Sequence, residues 1–89
     1  MYVILFYDIV QKEKTNANRI RKAVEKYLPR VQYSVFEGEI RASDLKKLKA
    51  LLQKEIHNEL DSVIIYEFEK PSYTKRDVIG IDKKENIFS

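Results

Sequence analysis

Tyr2 to Val10 reads YVILFYDIV, and the order of the fold follows from how this stretch is built. It is rich in β-branched and aromatic residues and its apolar character does not alternate, which predicts a strand covered on both faces and central in a sheet. Polar residues from Lys12 to Asn18 come next, with Thr15 or Asn16 as the N-cap of a helix running to about Tyr27. Ile20, Ala23, Val24 and Tyr27 share one arc of that helix, and Arg19, Arg21, Lys22, Glu25 and Lys26 share the opposite one. Pro29 stops it.

Val31 to Ile40 (VQYSVFEGEI) is strand-like on both sides of Gly38, where the missing side chain predicts a bulge or tight turn. Ser43 offers an N-cap and Asp44 a favourable first-turn charge for a second helix, whose stripe is Leu45, Leu48, Leu52, Ile56 and Leu60. His57 lies off that stripe and reads as a surface residue. Ser62 to Glu69 (SVIIYEFE) is a further strand, and beyond Pro71 and Ser72 only Val78 to Ile81 looks like a short added one. The order is that of an α+β, ferredoxin-like βαββαβ domain over residues 1–70. Residues 71–89 are expected to form a C-terminal extension with an extra strand.

Two helices cover one face of a sheet, yet Tyr2 to Tyr7 and Val63 to Tyr66 send apolar side chains to both. A second copy packed sheet against sheet is the economical cover, so a homodimer is expected, with the tail strand exchanged to or packed on the partner. The alternative is a tail that folds back over its own sheet.

Eighty-nine residues, 44% hydrophobic and 35% charged, allow one small domain and exclude a multidomain enzyme. The absence of cysteine excludes a disulfide framework, a thiolate zinc site and a thiol nucleophile. The longest apolar run, Val3 to Tyr7, is far below the roughly 20 residues of a membrane helix, so no membrane contact and a cytoplasmic location are expected. The net charge of +3 is lopsided: residues 1–36 hold seven basic residues against three acids, and residues 37–89 hold ten against eleven. The cluster from Lys12 to Arg30 suits a polyanion, or else is a solvated helix face.

Asp8 is the odd residue of the first strand, because a carboxylate there is costly to bury without a partner. It caps the following turn through its own side chain, or it reaches the sheet edge as a hard oxygen ligand for magnesium or manganese, which activates water at a phosphate. A lone histidine provides no nucleophile and base pair, and two glycines form no phosphate loop. The zinc deaminase pattern is absent, VQYSVFEGEI lacks the RNA-recognition signature, and QKEKTNAN lacks the arginine and glycine of an acylphosphatase loop.

YVILFYDI ending in aspartate, followed about 22 residues later by RVQYSVFEGEI and then by DSVIIYEF, resembles the second universal CRISPR-associated protein (Cas-two) family over residues 2 to about 69. The most specific piece is Q-x-S-V-F-E-G at Gln32 to Gly38, preceded by Arg30. The resemblance implies a ferredoxin-like homodimer whose Asp8 binds a divalent ion, usually magnesium, with manganese as a substitute, at the interface. It implies phosphodiester hydrolysis of single-stranded RNA or double-stranded DNA where that activity occurs, and a place beside the CRISPR spacer integrase.

Two functions stay open on these residues. In the first, a metal-dependent endonuclease, Asp8 is the catalytic residue and metal ligand, and Arg19, Arg30, Arg41 and the Ser34 hydroxyl position the nucleic-acid backbone. Ser34 is otherwise a strand hydroxyl bonded to backbone, and Phe36 a core aromatic. In the second, a non-catalytic scaffold, Arg19, Arg21, Lys22 and Lys26 contact duplex phosphates and the tail docks the integrase.

Overall fold

A computed structural model describes residues 1–10, 17–69 and 76–83. The elements are β1 (Tyr2–Asp8), α1 (Ala17–Glu25), β2 (Arg30–Gln32), β3 (Val35–Glu39), α2 (Ala42–Glu55) and β4 (Ser62–Phe68). They form an antiparallel sheet in the order β2-β3-β1-β4, the expected ferredoxin-like arrangement with β1 central. Leu5 faces Phe36 across one ladder and Ile65 across the other, and Asp8 faces Ser62 at the end of β1.

The alternation of β1 separates the two faces of the sheet. Val3 and Leu5 are buried with Phe36 against Ile20 and Val24 of α1 and Leu45, Leu48 and Leu52 of α2. Each such large side chain contributes about 1.5–3 kcal/mol on full burial. Ile4 and Phe6 point the other way, beside Tyr66 and Ile64 of β4. Ile64 and Tyr66 are 52% and 54% exposed, so the helices leave this outer face open.

Both helices are shorter than their periodicity predicts. α1 ends at Glu25 rather than Tyr27, because Tyr27 and Leu28 both turn their N–H groups to the Val24 carbonyl ahead of Pro29. Its expected caps, Thr15 and Asn16, lie outside the described residues. α2 begins at Ala42 behind Arg41, in extended conformation, so Ser43 is inside the helix and is not its N-cap. It ends at Glu55, and Leu60 is exposed rather than part of a helical stripe. The cause is Asp61, whose Oδ2 accepts the His57 N–H at 2.8 Å and takes the donor that a continuing helix would give to Gln53. His57 is exposed, as expected.

Gly38 does not make the turn between β2 and β3. The turn is Tyr33–Ser34, and Gly38 lies inside β3, where an added Cβ would stand 3.0 Å from Pro29 Cδ. Close approach of the Pro29 ring, not a bend, requires the glycine. The expected strand at Val78–Ile81 does not form either: residues 76–83 contain no strand, and Gly80 takes a φ of 93°. Arg76 reaches Glu37 on the outer face and forks to Asp82. This segment covers Glu37 but leaves Ile64 and Tyr66 bare, and Ile79 and Ile81 are themselves exposed. Among the described residues, the segment 76–83 does not close the sheet.

Candidate active site

The carboxyl end of β1 opens onto a cleft of about 430 Å³. Tyr7, Asp8 and Ile9 form its strand wall, Ala17, Asn18 and Arg21 come from α1, and Arg30, Tyr33 and Ser34 come from β2 and the turn after it. The register explains this convergence: the Tyr7 N–H donates to the Ser34 carbonyl at 3.1 Å, extending the β1–β3 ladder into the turn. The antiparallel turn thus brings Ser34 beside Asp8, which is distant from it in sequence.

Asp8 is exposed and is, among the described residues, the only carboxylate that lines the cleft. It faces the same way as Phe6 along the strand, toward the open side of the sheet. Arg21 is half-buried and extends Nη1 to Glu25 Oε1 at 3.3 Å, one turn along α1. That pair is part-exposed and leaves the guanidinium at the cleft wall. Burial pushes the Tyr7 phenol above its ordinary pKa while Arg30 and Arg21 pull it down, so the hydroxyl stays protonated at neutral pH.

The other expected site residues lie elsewhere. Arg19 is outside the cleft and reaches Glu55 of α2 at 3.4 Å. Lys22 and Lys26 are exposed and do not line the cleft. Arg41 sits at the opposite end of the sheet, since Ile40 N–H bonds to the Met1 carbonyl, and six strand residues separate that end from Asp8, about 20 Å. It extends Nε to Asp44 at 3.3 Å. Phe36 is fully buried on the helix side and packs its ring 5.6 Å from that of Tyr7, so it is a core aromatic. The structure adds Tyr7, Asn18 and Tyr33 to the cleft, none of which composition or periodicity singles out. Adjacency to Asp8 was the only signal for Tyr7.

Among the described residues no three His, Cys, Asp or Glu side chains gather closely enough to cage a metal ion. One exposed carboxylate fits magnesium or manganese, which take one or two carboxylates and fill the rest with water and substrate phosphate. It does not fit a structural zinc site, which wants four protein ligands. Among the described residues no helix is long and apolar enough to cross a membrane.

The family model for CRISPR associated protein Cas2 matches residues 1–76. A CRISPR-associated endoribonuclease Cas2 of Archaeoglobus fulgidus is 40% identical over 83 residues, covering 93% of this chain and 87% of the relative. The protein of that name from Nanoarchaeum equitans is 43% identical over 89 residues, 99% of this chain and 93% of its own. A crystal structure of a Cas2 superimposes with a TM-score of 0.78 at 36% identity, covering 100% of this chain and 97% of that one. Streptococcus pyogenes Cas2 gives a TM-score of 0.71 at 26% identity, with 90% and 100% covered. With this sheet order, an aspartate at the end of β1 and family matches across most of its length, the chain belongs to the CRISPR-associated protein Cas2 family.

Proposed function

We propose that the protein is a dimeric, divalent-metal-dependent endoribonuclease of CRISPR spacer acquisition, with Asp8 as catalytic residue and metal ligand. The observation that carries this reading is the cleft, in which one exposed carboxylate stands among Arg21, Arg30 and the Ser34 turn. Relatives that share most of the chain bear the name endoribonuclease. Arg21 and Arg30 bind phosphate oxygens and fix the strand across the cleft. The protonated Tyr7 phenol is a donor for the same backbone. Magnesium, or manganese in its place, would be held by Asp8 and would supply an activated water and neutralise charge at the scissile phosphate.

The exposed outer face supports the dimer. Ile4, Phe6, Ile64 and Tyr66 need a cover, and Asp8 emerges on that side, so a twofold partner brings a second Asp8 to the same interface. The C-terminal extension is then the docking element for the spacer integrase.

A second reading, a scaffold binding duplex DNA without cutting it, is favoured by Lys22 of α1 and Lys26 in the turn after it, which are exposed outside the cleft. Cleavage of labelled single-stranded RNA and duplex DNA by wild type and Asp8→Asn, with magnesium, manganese or chelator, separates the two. RNA cleavage that needs both metal and Asp8 is the expected result. Duplex binding without cleavage under every condition overturns the enzyme reading in favour of the scaffold, and cleavage confined to duplex DNA overturns the choice of RNA.

A further inference from the structure

Asp61 is one of two charged residues buried among the described ones, at 8% exposure, and it lies outside the cleft. Its Oδ1 accepts the Val10 N–H at 2.9 Å and its Oδ2 accepts the His57 N–H at 2.8 Å. Its own N–H donates to the His57 carbonyl at 2.8 Å. A buried carboxylate is tolerated when both oxygens are paired in this way. One bond closes the connection between α2 and β4. The other crosses to the chain two residues beyond Asp8.

This second bond has no role in closing the connection. Asp61 also directly precedes Ser62, the cross-strand partner of Asp8. Asp8 is thus held from two directions by one residue: through Ser62 across the ladder, and through Val10 along its own chain.

We infer that Asp61 is a positioning residue for the metal site, clamping the exit of β1 so that the Asp8 carboxylate is presented in one direction at the cleft. The inference rests on the assignment of Asp8 as metal ligand. Residues that orient a ligand in this way typically account for about 10–100-fold in metal affinity or activity. Asp61→Asn is nearly isosteric, but it replaces one acceptor with an NH2 that faces an N–H donor, so one of the two bonds is lost.

The test uses the full chain and two readouts. Amide hydrogen exchange at Val10 and His57 reports which bond the variant has lost, and Mn2+ titration, followed by paramagnetic broadening of the Ile9 and Ser62 amide signals, reports ion affinity at Asp8. Asp61→Asn is expected to weaken Mn2+ binding about tenfold, and RNA cleavage is expected to fall in kcat with KM nearly unchanged. Val10→Pro removes the Val10 donor and keeps the carboxylate with its His57 bond, and should reproduce the loss if Asp61→Asn does not fold. Wild-type Mn2+ affinity in a variant whose Val10 bond is gone overturns the inference and leaves Asp61 a purely structural cap. Absence of broadening in the wild type overturns the Asp8 assignment and this inference together, whereas broadening abolished by Asp8→Asn upholds the assignment whatever Asp61 does.

Discussion

The Tyr2 phenol donates a 2.9 Å hydrogen bond to Glu37 Oε2 on the outer face of the sheet, diagonally across the β1–β3 ladder. Glu37 is 6% exposed and also receives Arg76, so its charge is held by two donors from opposite ends of the chain. Burial and then this hydrogen bond push the Tyr2 pKa up to about 12 from 10.0. The folded state therefore keeps a proton that the unfolded chain gives up near pH 10. Stability that is fully present below pH 10 is lost as pH rises toward about 12. Tyr2→Phe should flatten this alkaline loss, without abolishing it because the Tyr7 pKa is also raised. It should cost about 1 kcal/mol at neutral pH. Urea midpoints measured across the alkaline range check both; an unchanged alkaline slope refutes the assignment to Tyr2.

Gly38 and Phe36 are neighbours on β3 with opposite tolerance of size. Phe36→Ala empties a fully buried site and should cost about 3–5 kcal/mol. Gly38→Ala sets a methyl 3.0 Å from Pro29 Cδ, while the Pro29 carbonyl is tied to the Glu37 N–H at 3.2 Å, so the ring yields little. We expect about 1 kcal/mol of destabilisation for Ala and more for Val. Chemical denaturation of the variants measures this, and a Gly38→Ala protein as stable as wild type would show that the ring moves freely.

Phe6 and Tyr66 meet edge to face at 5.9 Å on the open face, making an aromatic patch with Ile64. If a second copy covers that patch, Ile64→Lys should convert the dimer to monomer in sedimentation velocity while circular dichroism stays unchanged, because Ile64 is outside the core. A wild-type chain that sediments as a monomer at all concentrations rules the cover out.

Arginines near the cleft and far from it should differ in binding. Arg21→Ala and Arg30→Ala should each weaken single-stranded RNA binding and lower the salt slope by about 1. Arg41→Ala, about 20 Å from Asp8, should leave both nearly unchanged. Fluorescence anisotropy at several salt concentrations is the measurement. An equal loss for Arg41→Ala would mean that the nucleic acid tracks the whole length of the sheet.

The element order was legible because it depends on local patterning: a two-sided apolar run at β1, amphipathic stripes in α1 and α2, and breakers between them. Asp8 stood out for the same reason, as a charge interrupting an apolar strand. Tertiary structure decided which residues keep Asp8 company. Strand pairing and the packing of α1 brought Ser34, Arg30 and Arg21 to one end of β1, and strand pairing carried Arg41 to the other. It placed the β2–β3 turn at Tyr33–Ser34 and the bare Cα of Gly38 under Pro29. It also shortened α2, because Asp61 captures the His57 N–H. A sequence shows periodicity along one chain, whereas a site is made where separate segments cross, and that crossing is set by register and packing.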